Sequence, residues 1–222
     1  AQQTTARGGV KIAVVYPAER VNPTGANMLL KTLEEPPGRT RFLLASAAPQ
    51  RLLPTVRSRC QALRLPLPPA DAAARWLAAQ DGAVRPEVLL AAAGGAPLDA
   101  LERLAQGVTA EAWLRLPREL AAGQSVTLAS WPLPVAIDAL QKYCHDALTL
   151  AVGAAPRYFP TGTVAGGGDL GRLTDMARTL RQAARHAEHP LNAALAVESL
   201  ALQLRQALRG APREPAVDTL RR

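Results

Sequence analysis

A tripeptide at the end of the first third of the chain carries residue types that can act on a phosphate. Ser58-Arg59-Cys60 follows a proline-containing connection, Pro54-Thr55-Val56-Arg57. The guanidinium of an arginine at a loop edge can reach a phosphate on another molecule and stabilise the charge that develops during phosphoryl transfer. Arginine is common in this chain, so the tripeptide needs support from the residues around it.

Metal and hydrolase chemistry find little support in the sequence. His186 and His189 are spaced to share one helix face, but no third ligand cluster accompanies them, and we expect both to face solvent. Cys60 and Cys144 form no CxxC motif, so we expect two free thiols, as is usual in a reducing compartment. The sequence contains no GxxxxGK[ST] motif and therefore no phosphate-binding loop of that type.

Two adjacent acidic residues, Glu34 and Glu35, close a predicted helix. Neighbouring residues on a helix point in different directions, so we do not expect them to act as a paired carboxylate. Two acids at a helix C-terminus also oppose the helix dipole, at a cost of ~0.3–1 kcal/mol each. Either a contact with another part of the molecule offsets this cost, or the two side chains are simply exposed.

The composition is that of a globular protein with a basic surface. The chain has 222 residues, of which 48% are hydrophobic and 4% aromatic, so its core must be aliphatic. Its 26 basic and 18 acidic residues give a net charge of +8, which suits contact with nucleic acid or an acidic partner. The basic residues are scattered, and a solvated arginine-rich surface explains them equally well. No apolar stretch approaches the ~20 residues of a membrane span.

The elements that must position Arg59 are short strands and one helix. Residues 10–16 and 41–46 are apolar runs of strand length, typical of strands buried on both faces of a parallel sheet. We expect another short strand over residues 62–67. Between the first two strands, Asn22 is a good helix N-cap and Pro23 suits the first helical position. The apolar face and the stop of that helix comprise Ala26, Leu29, Leu30, Leu33, Pro36 and Pro37.

From residue 71 onward every pattern is helical. Asp71 is the expected N-cap of a helix through Leu77, and two further short helices are expected over residues 86–93 and 97–104. Gly94-Gly95 ends the second of them. The next helices carry apolar stripes that predict an antiparallel bundle. The stripes are Ile137, Leu140, Cys144, Leu148 and Ala151; Leu170, Leu173, Ala177, Leu180 and Ala184; and Val197, Leu200, Leu204 and Leu208. Residues 161–168 read as a loop and 210–222 as a frayed tail.

A longer array around the tripeptide carries a family resemblance. Residues 27–37 read NMLLKTLEEPP and are followed by a hydrophobic strand and then by Ser58-Arg59-Cys60. This order and spacing closely resembles the bacterial DNA polymerase III clamp-loader subunits, which are AAA+ proteins. Residues 43–60 (LLASAAPQRLLPTVRSRC) resemble the sensor-1 strand and SRC loop of that family, with Ser46 at the polar sensor-1 position. The clear resemblance covers residues 8–67, and the helical remainder fits the family by arrangement.

Departures from the family pattern indicate which class of subunit the chain resembles. The family contains gamma/tau motor ATPases and a non-hydrolysing delta prime class. A motor carries an Asp-Glu pair at the end of the first strand to hold Mg²⁺, where this sequence has Tyr16-Pro17; Glu19, further along, is not expected to replace the pair. A motor also carries an arginine after the glycine turn at 94–95, where residues 96–99 read APLD. The combination resembles the non-hydrolysing class.

The resemblance implies roles for the residues and partners for the chain. Arg59 would act in trans as an arginine finger, Ser58 and Cys60 would shape its loop, and Ser46 would be sensor-1-like. This chain would bind no nucleotide or metal itself, while neighbouring motor subunits would bind ATP and Mg²⁺. The implied partners are the gamma/tau motor subunits, the delta subunit, the sliding clamp and primer-template DNA, in the cytoplasm and without a membrane.

The implied fold is α/β followed by all-α. A partial AAA+ parallel-sheet domain would span residues 1–67, a small three-helix lid 68–108, an antiparallel helical collar for oligomerisation 109–210, and a flexible tail 211–222. Two or three strands with one long helix cannot cover a parallel sheet, so either further strands precede this chain or the strand predictions are wrong. The AAA+ domain of the family begins well before this chain does, so the resemblance implies that this chain is a C-terminal part of a longer protein.

Two alternatives stay open at this stage. The chain could be a gamma/tau-type ATPase with a degenerate Mg²⁺-binding strand, in which case it would hydrolyse ATP by itself. It could also be a helical DNA-binding or scaffold protein unrelated to clamp loading, which the charge of +8 permits.

Overall fold

The computed structural model of the protein describes residues 10–166, 168–187 and 192–209. The chain divides into two compact units, Ala1–Pro66 and Leu67–Arg222. The described part of the first unit combines two parallel strands with one long helix, and that of the second is helical throughout. The coarse prediction, a small parallel α/β part followed by an all-helical part, is confirmed.

The sheet of the first unit pairs two strands from the predicted apolar runs. β1 (Lys11–Val15) lies parallel to β2 (Thr40–Leu44), with Lys11 opposite Thr40 and Val15 opposite Leu44. Helix α1 (Pro23–Glu34) connects them, so the carboxyl ends of both strands meet at one edge of the sheet.

The strands are not buried on both faces, which corrects the expectation from their continuous apolar character. Burial alternates along β1, and Ile12 and Val14 are 60% and 65% exposed. On β2, Leu43 is 55% exposed, whereas Phe42 and Leu44 are partly buried. The reason is that α1 contributes Ala26 and Leu29 to the same cavity as Val15 and Leu44, so the packing lies on one side of the sheet.

The sequence signals at the start of α1 act as predicted. The side chain of Asn22 accepts a hydrogen bond from the Gly25 N–H at 2.7 Å, and Pro23 occupies the first helical position. Ala26 is buried on the apolar face, while Leu29, Leu30 and Leu33 are partly buried.

The third predicted strand is wrong. Residues 61–69 are irregular, and Leu63 and Leu65 are 83% and 84% exposed. A strand requires a neighbour that pairs with its backbone, and within the described residues the sheet has two strands only.

The second unit opens with three short helices around a small core. These are α3 (Ala70–Ala78), α4 (Pro86–Ala92) and α5 (Pro97–Ala105), which follow α2 (Pro54–Arg57) of the first unit. The N-cap of α3 is Pro69 rather than the predicted Asp71, which lies in the first turn and pairs with Arg75 at 2.9 Å. The acid still serves the helix there, because its charge complements the N-terminal end of the dipole. Gly94 and Gly95 end α4 with φ of 69° and 96°, as their position predicts.

Five further helices surround the larger core. They are α6 (Ala110–Ala122), α7 (Val126–Ala129), α8 (Leu133–Ala151), α9 (Leu170–Arg185) and α10 (Ala193–Leu208). The stripe on α8 is confirmed, with Leu140 and Cys144 fully buried, and so is that on α10. On α9 the prediction is partly wrong, because Leu170 is 46% exposed and Met176, which the stripe omitted, is 5% exposed.

Aromatic rings gather inside this larger core. Trp113 stacks on Phe159 with ring centroids 4.5 Å apart, and its indole N–H donates to the Tyr158 carbonyl at 3.0 Å. Trp131 lies 6.3 Å from Trp113 and donates to the Gly107 carbonyl. Five of the chain's eight aromatic side chains thus lie in or against this core, and the indole N–H groups of Trp113 and Trp131 are satisfied.

A buried carboxylate fastens the segment between α8 and α9. Asp146 is fully buried and accepts hydrogen bonds from the backbone N–H groups of Arg157, Tyr158 and Phe159 at 2.9, 2.8 and 2.8 Å. The ring Nδ1 of His145 lies 3.0 Å from Asp146 Oδ1. The charge is therefore compensated by several polar contacts, as a buried carboxylate requires.

Three sequence expectations concern a predicted loop, a predicted tail and one histidine. Residues 161–166 are turns and bends, in agreement with the predicted loop. The predicted tail over 210–222 and His189 lie outside the described residues. No helix in the described ranges combines the length and apolar character needed to cross a membrane.

Candidate functional site

The loop that carries Arg59 is held by its own backbone and by one buried side chain. It consists of α2 and the turn that follows, residues 54–60. Pro54 occupies the first helical position, and Val56 is 5% exposed, so this side chain anchors the loop against the first unit. The Ser58 N–H donates to the Pro54 carbonyl at 2.9 Å, and the Arg59 N–H to the Val56 carbonyl at 3.2 Å. The loop is a compact turn rather than an extended connection.

The predicted residues Ser58 and Cys60 lie on either side of Arg59 in this turn. The Ser58 hydroxyl donates to the Thr55 carbonyl at 3.1 Å, which agrees with a role in shaping the loop. Cys60 is half-buried, and its N–H donates to the Arg57 carbonyl at 3.3 Å. These contacts describe the loop's shape, and the catalytic assignment of the tripeptide stays a prediction.

The guanidinium of Arg59 is fixed at two points. Its Nε donates to Glu34 Oε1 at 2.5 Å, and its Nη1 donates to the Thr55 carbonyl at 3.0 Å. The Arg59 side chain is 36% exposed and that of Glu34 49% exposed. Of the five guanidinium N–H groups, the two on Nη2 make no hydrogen bond within the described residues. The Arg59 guanidinium is thus held in place at the surface, and its Nη2 remains able to donate hydrogen bonds to a ligand.

Glu34 is the partner of Arg59 that sequence reasoning did not identify. The only signal was that an acid at the C-terminal end of α1 opposes the helix dipole, which left open a contact with another part of the molecule. The structure provides that contact, because Arg59 lies 25 positions further along the chain. Glu35 is exposed and makes no ion pair in the described part of the chain.

A second polar pair lies where the strands end. Ser46 and Glu19 follow β2 and β1, and hydrogen bonding from Ser46 is the main reason that the pKa of Glu19 is below its usual value. Backbone N–H groups and the charge of Arg51 lower that pKa further, while burial acts in the opposite direction. The Ser46 hydroxyl oxygen also accepts from the Ala48 N–H at 3.1 Å. Glu19 Oε2 is buried without a hydrogen-bond partner among the described residues.

Glu19 borders a cavity of about 240 Å³ that is otherwise mostly apolar. The cavity is lined by Val15, Ala26, Leu44, Arg51 and Val56, among others. At the strand end itself, Tyr16 is 74% exposed and precedes Pro17, and neither side chain offers a carboxylate.

Metal chemistry has no site in the described residues. In these ranges, no three His, Cys, Asp or Glu side chains are grouped so that they could hold a metal ion. His186 is exposed at the end of α9, and His145 contacts Asp146 and the ring of Tyr158. Burial raises the pKa of the Cys144 thiol to about 11, so this group is a packing residue rather than a nucleophile.

Comparisons with known proteins agree with the resemblance drawn from the sequence motifs. A family model described as "DNA polymerase III, delta subunit" matches residues 1–69. The chain is 49% identical over 109 residues to the DNA polymerase III subunit delta prime of Pseudomonas aeruginosa, covering 48% of this chain and 33% of the relative. Over the matched residues, this chain is similar to the delta prime subunits of DNA polymerase III. The resemblance to that clamp-loader family is therefore confirmed.

Further relatives of this DNA polymerase III family extend the comparison. The Escherichia coli delta prime subunit is 35% identical over 154 residues, covering 61% of this chain and 46% of the relative. The tau subunit of Salmonella typhimurium is 44% identical over 59 residues, covering 27% of this chain and 9% of the relative. The chain spans between 31% and 46% of the length of the four delta prime relatives it matches.

Proposed function

We propose that this chain forms part of a non-hydrolysing clamp-loader subunit that donates Arg59 to the ATP site of a neighbouring motor subunit. It would help to load a sliding clamp onto primer-template DNA, together with gamma/tau motor subunits and a delta subunit. The relatives' names, delta prime in four bacteria and tau in others, support the clamp-loader assignment.

The observation that carries the proposal is the state of the Arg59 side chain. An arginine finger must be ordered, accessible from outside its own subunit, and able to donate to phosphate oxygens. Arg59 is fixed through Nε and Nη1, is 36% exposed, and retains the two N–H groups of Nη2. A guanidinium that served only as half of a surface ion pair would not need the second tether to the Thr55 carbonyl.

The strand ends support the non-hydrolysing part of the proposal. A motor subunit needs carboxylates at this edge of the sheet to hold Mg²⁺. Tyr16-Pro17 stand there instead, and the neighbouring Ser46 is engaged with Glu19 and with the Ala48 N–H. On this proposal the chain binds no nucleotide or metal, and ATP and Mg²⁺ belong to the motor neighbours.

We also propose that the helical unit contains the lid and the oligomerising collar. One group of buried side chains comes mainly from α3, α4 and α5, and the other mainly from α6 to α10, which supports this division. On α10, Leu195 and Leu202 are 62% and 52% exposed. They are two helical turns apart and share one face, so they offer an apolar surface to a neighbouring subunit.

The test is to assemble the natural protein that contains this sequence with its motor ATPase partners. Primer-template-stimulated ATP hydrolysis would be compared between wild type, Arg59→Ala and Arg57→Ala. Arg57 is the matched control, because it lies two residues away in the same loop, is exposed, and makes no ion pair in the described residues. Sedimentation would establish that all three proteins assemble.

The proposal expects Arg59→Ala to lose part of the turnover and Arg57→Ala to keep all of it. A trans-acting arginine is worth ~10³–10⁵ in rate at the site it serves. The loss in the whole assembly is partial because other motor sites use arginines of their own. Equal turnover by Arg59→Ala and wild type in a fully assembled complex would show that Arg59 is not an arginine finger. The proposed role of the chain would then be scaffolding alone.

One observation favours a gamma/tau-type ATPase as the second candidate. Glu19 holds an ionised carboxylate at the carboxyl end of the strands, beside Ser46, where it could orient a water molecule. ATP turnover by the natural protein without its partners separates the candidates. If the protein hydrolyses ATP without its partners and Glu19→Gln abolishes this activity, the chain belongs to a motor ATPase. The non-hydrolysing function would then be wrong.

A further inference from the structure

The contact between Arg59 and Glu34 joins two segments of the first unit that are distant in sequence. Arg59 Nε donates to Glu34 Oε1 at 2.5 Å, across 25 positions of the chain. Glu34 is the last residue of α1, and Arg59 is in the turn after α2. The ion pair therefore ties the arginine loop to the end of the helix that connects the two strands.

Fold stability does not explain why an acid stands at this position. Both side chains are well exposed, at 36% and 49%, and exposed ion pairs contribute little to folding. The charge of Glu34 is also unfavourable at a helix C-terminus. Glu34 is thus unfavourable for its own helix and weak as a stabilising pair, and it lies where it orders another side chain.

The geometry of the two tethers determines what remains of the guanidinium. Glu34 occupies Nε, and the Thr55 carbonyl accepts from Nη1 at 3.0 Å, with the Ser58 hydroxyl 3.4 Å away. Two acceptors at different corners of a planar group fix both its position and its plane. Nη2, which makes no hydrogen bond within the described residues, is the corner left for a ligand.

We propose that Glu34 is a positioning residue that orients Arg59 for its phosphate target, an inference that rests on the proposed function. An arginine side chain has several rotatable bonds, and ordering them before the reaction removes an entropic cost from the transition state. Glu34 touches neither phosphate nor nucleotide. It acts through Arg59 alone.

The opposite role, sequestration, makes the opposite prediction. If Glu34 merely neutralised Arg59 and kept it from its target, removing the carboxylate would strengthen the attraction of Arg59 for phosphate and raise turnover. The second tether argues for positioning, because the Thr55 carbonyl adds orientation without adding a negative charge. Positioning predicts that removal of the carboxylate lowers turnover.

The experiment uses the natural protein assembled with its motor partners, and five variants beside wild type, of which Glu34→Asp keeps the charge. Glu34→Ala removes the tether, and Glu35→Ala is the matched control that removes the adjacent exposed acid, which makes no ion pair in the described part of the chain. Arg59→Ala and the double variant Glu34→Ala/Arg59→Ala complete a double-mutant cycle. The values of kcat and KM for primer-template-stimulated ATP hydrolysis are measured for each.

We expect kcat of Glu34→Ala to fall most of the way from the wild-type value to that of Arg59→Ala, with KM unchanged. Glu35→Ala should have the kcat and KM of wild type. In the Arg59→Ala background, Glu34→Ala should cause no further loss. Glu34→Asp, which keeps the charge on a shorter side chain, should recover part of the rate.

Each contrary outcome has a distinct meaning. Turnover by Glu34→Ala equal to or above that of wild type overturns the positioning role while leaving Arg59 as the finger. A loss that persists in the Arg59→Ala background places the effect of Glu34 elsewhere and also overturns it. If Arg59→Ala itself has no effect, the proposed function fails first and the inference fails with it.

Discussion

The buried carboxylate of Asp146 should be essential to the helical unit. In Asp146→Asn, one carboxylate oxygen becomes an amide NH₂ that must face hydrogen-bond donors. The amide adopts the orientation that costs least, with oxygen at the Oδ2 position, where it still accepts from the N–H groups of Tyr158 and Phe159. The NH₂ then stands at the Oδ1 position and faces the Arg157 N–H, which loses its acceptor. A buried donor left unpaired costs about 1–3 kcal/mol, so we expect the free energy of unfolding to fall by about that amount.

Urea denaturation followed by far-ultraviolet circular dichroism measures this loss. With a slope of about 1.5–2 kcal/mol per molar urea, the expected change lowers the midpoint by roughly 0.5–2 M. Asp175→Asn is the matched control, because Asp175 is 72% exposed and its one ion pair among the described residues is with Arg178, one helical turn away. That variant should change the free energy by less than about 0.5 kcal/mol.

The reasoning would be refuted by equal midpoints for Asp146→Asn and Asp175→Asn. A second readout is amide hydrogen exchange at Arg157, whose N–H should lose protection in Asp146→Asn and keep it in the control. A large loss of stability with unchanged protection at this amide would mean that Asp146 stabilises the unit in another way.

Three more predictions follow from single residues. The thiol of Cys60 should react with a thiol reagent at pH 8 in the folded chain, whereas that of Cys144, whose pKa burial raises to about 11, should react only after denaturation; equal rates would contradict this. Burial would raise the pKa of Glu119, but hydrogen bonds from Thr127 and the nearby Arg115 lower it overall. Stability from this group is therefore present above its unfolded pKa near 4.5 and lost as pH falls through the lower folded value, so Glu119→Gln should flatten the acid limb of the stability curve. Asn22→Ala removes the N-cap of α1 and should lower the free energy of unfolding of the first unit by about 1 kcal/mol in urea denaturation. Asn22→Ser should restore most of that free energy.

Local signals in the sequence predicted the elements that depend on local chemistry. Asn22 and Pro23 marked the start of α1, Gly94 and Gly95 the end of α4, and the stripe on α8 its buried face, because each signal acts within one or two turns of the chain. The strand expected over residues 62–67 failed for the opposite reason. Its apolar content was real, but a strand needs a partner, and partners are set by distant residues.

The candidate site shows the same division. The tripeptide at 58–60 was visible from its residue types and from its place after the NMLLKTLEEPP stretch. The partner of Arg59 was not, because an ion pair across 25 positions leaves no periodic trace in the sequence. What the sequence did show was an acid in an unfavourable place, and such conflicts between a residue and its local environment are where tertiary contacts should be sought first.

The clustering of aromatic rings has an optical consequence. All three tryptophans of this chain, Trp76, Trp113 and Trp131, lie in the helical unit, and the last two are almost fully buried. Their fluorescence therefore reports on that unit and is silent about the loop that carries Arg59. Tyr16, which is 74% exposed at the end of β1, can accept an indole without repacking a core. Trp76 is itself 41% exposed and emits at long wavelength, so it is replaced by phenylalanine. In that background a Tyr16→Trp variant would give the first unit an emission signal of its own, red-shifted by solvent and separable from the blue-shifted signal of the buried pair.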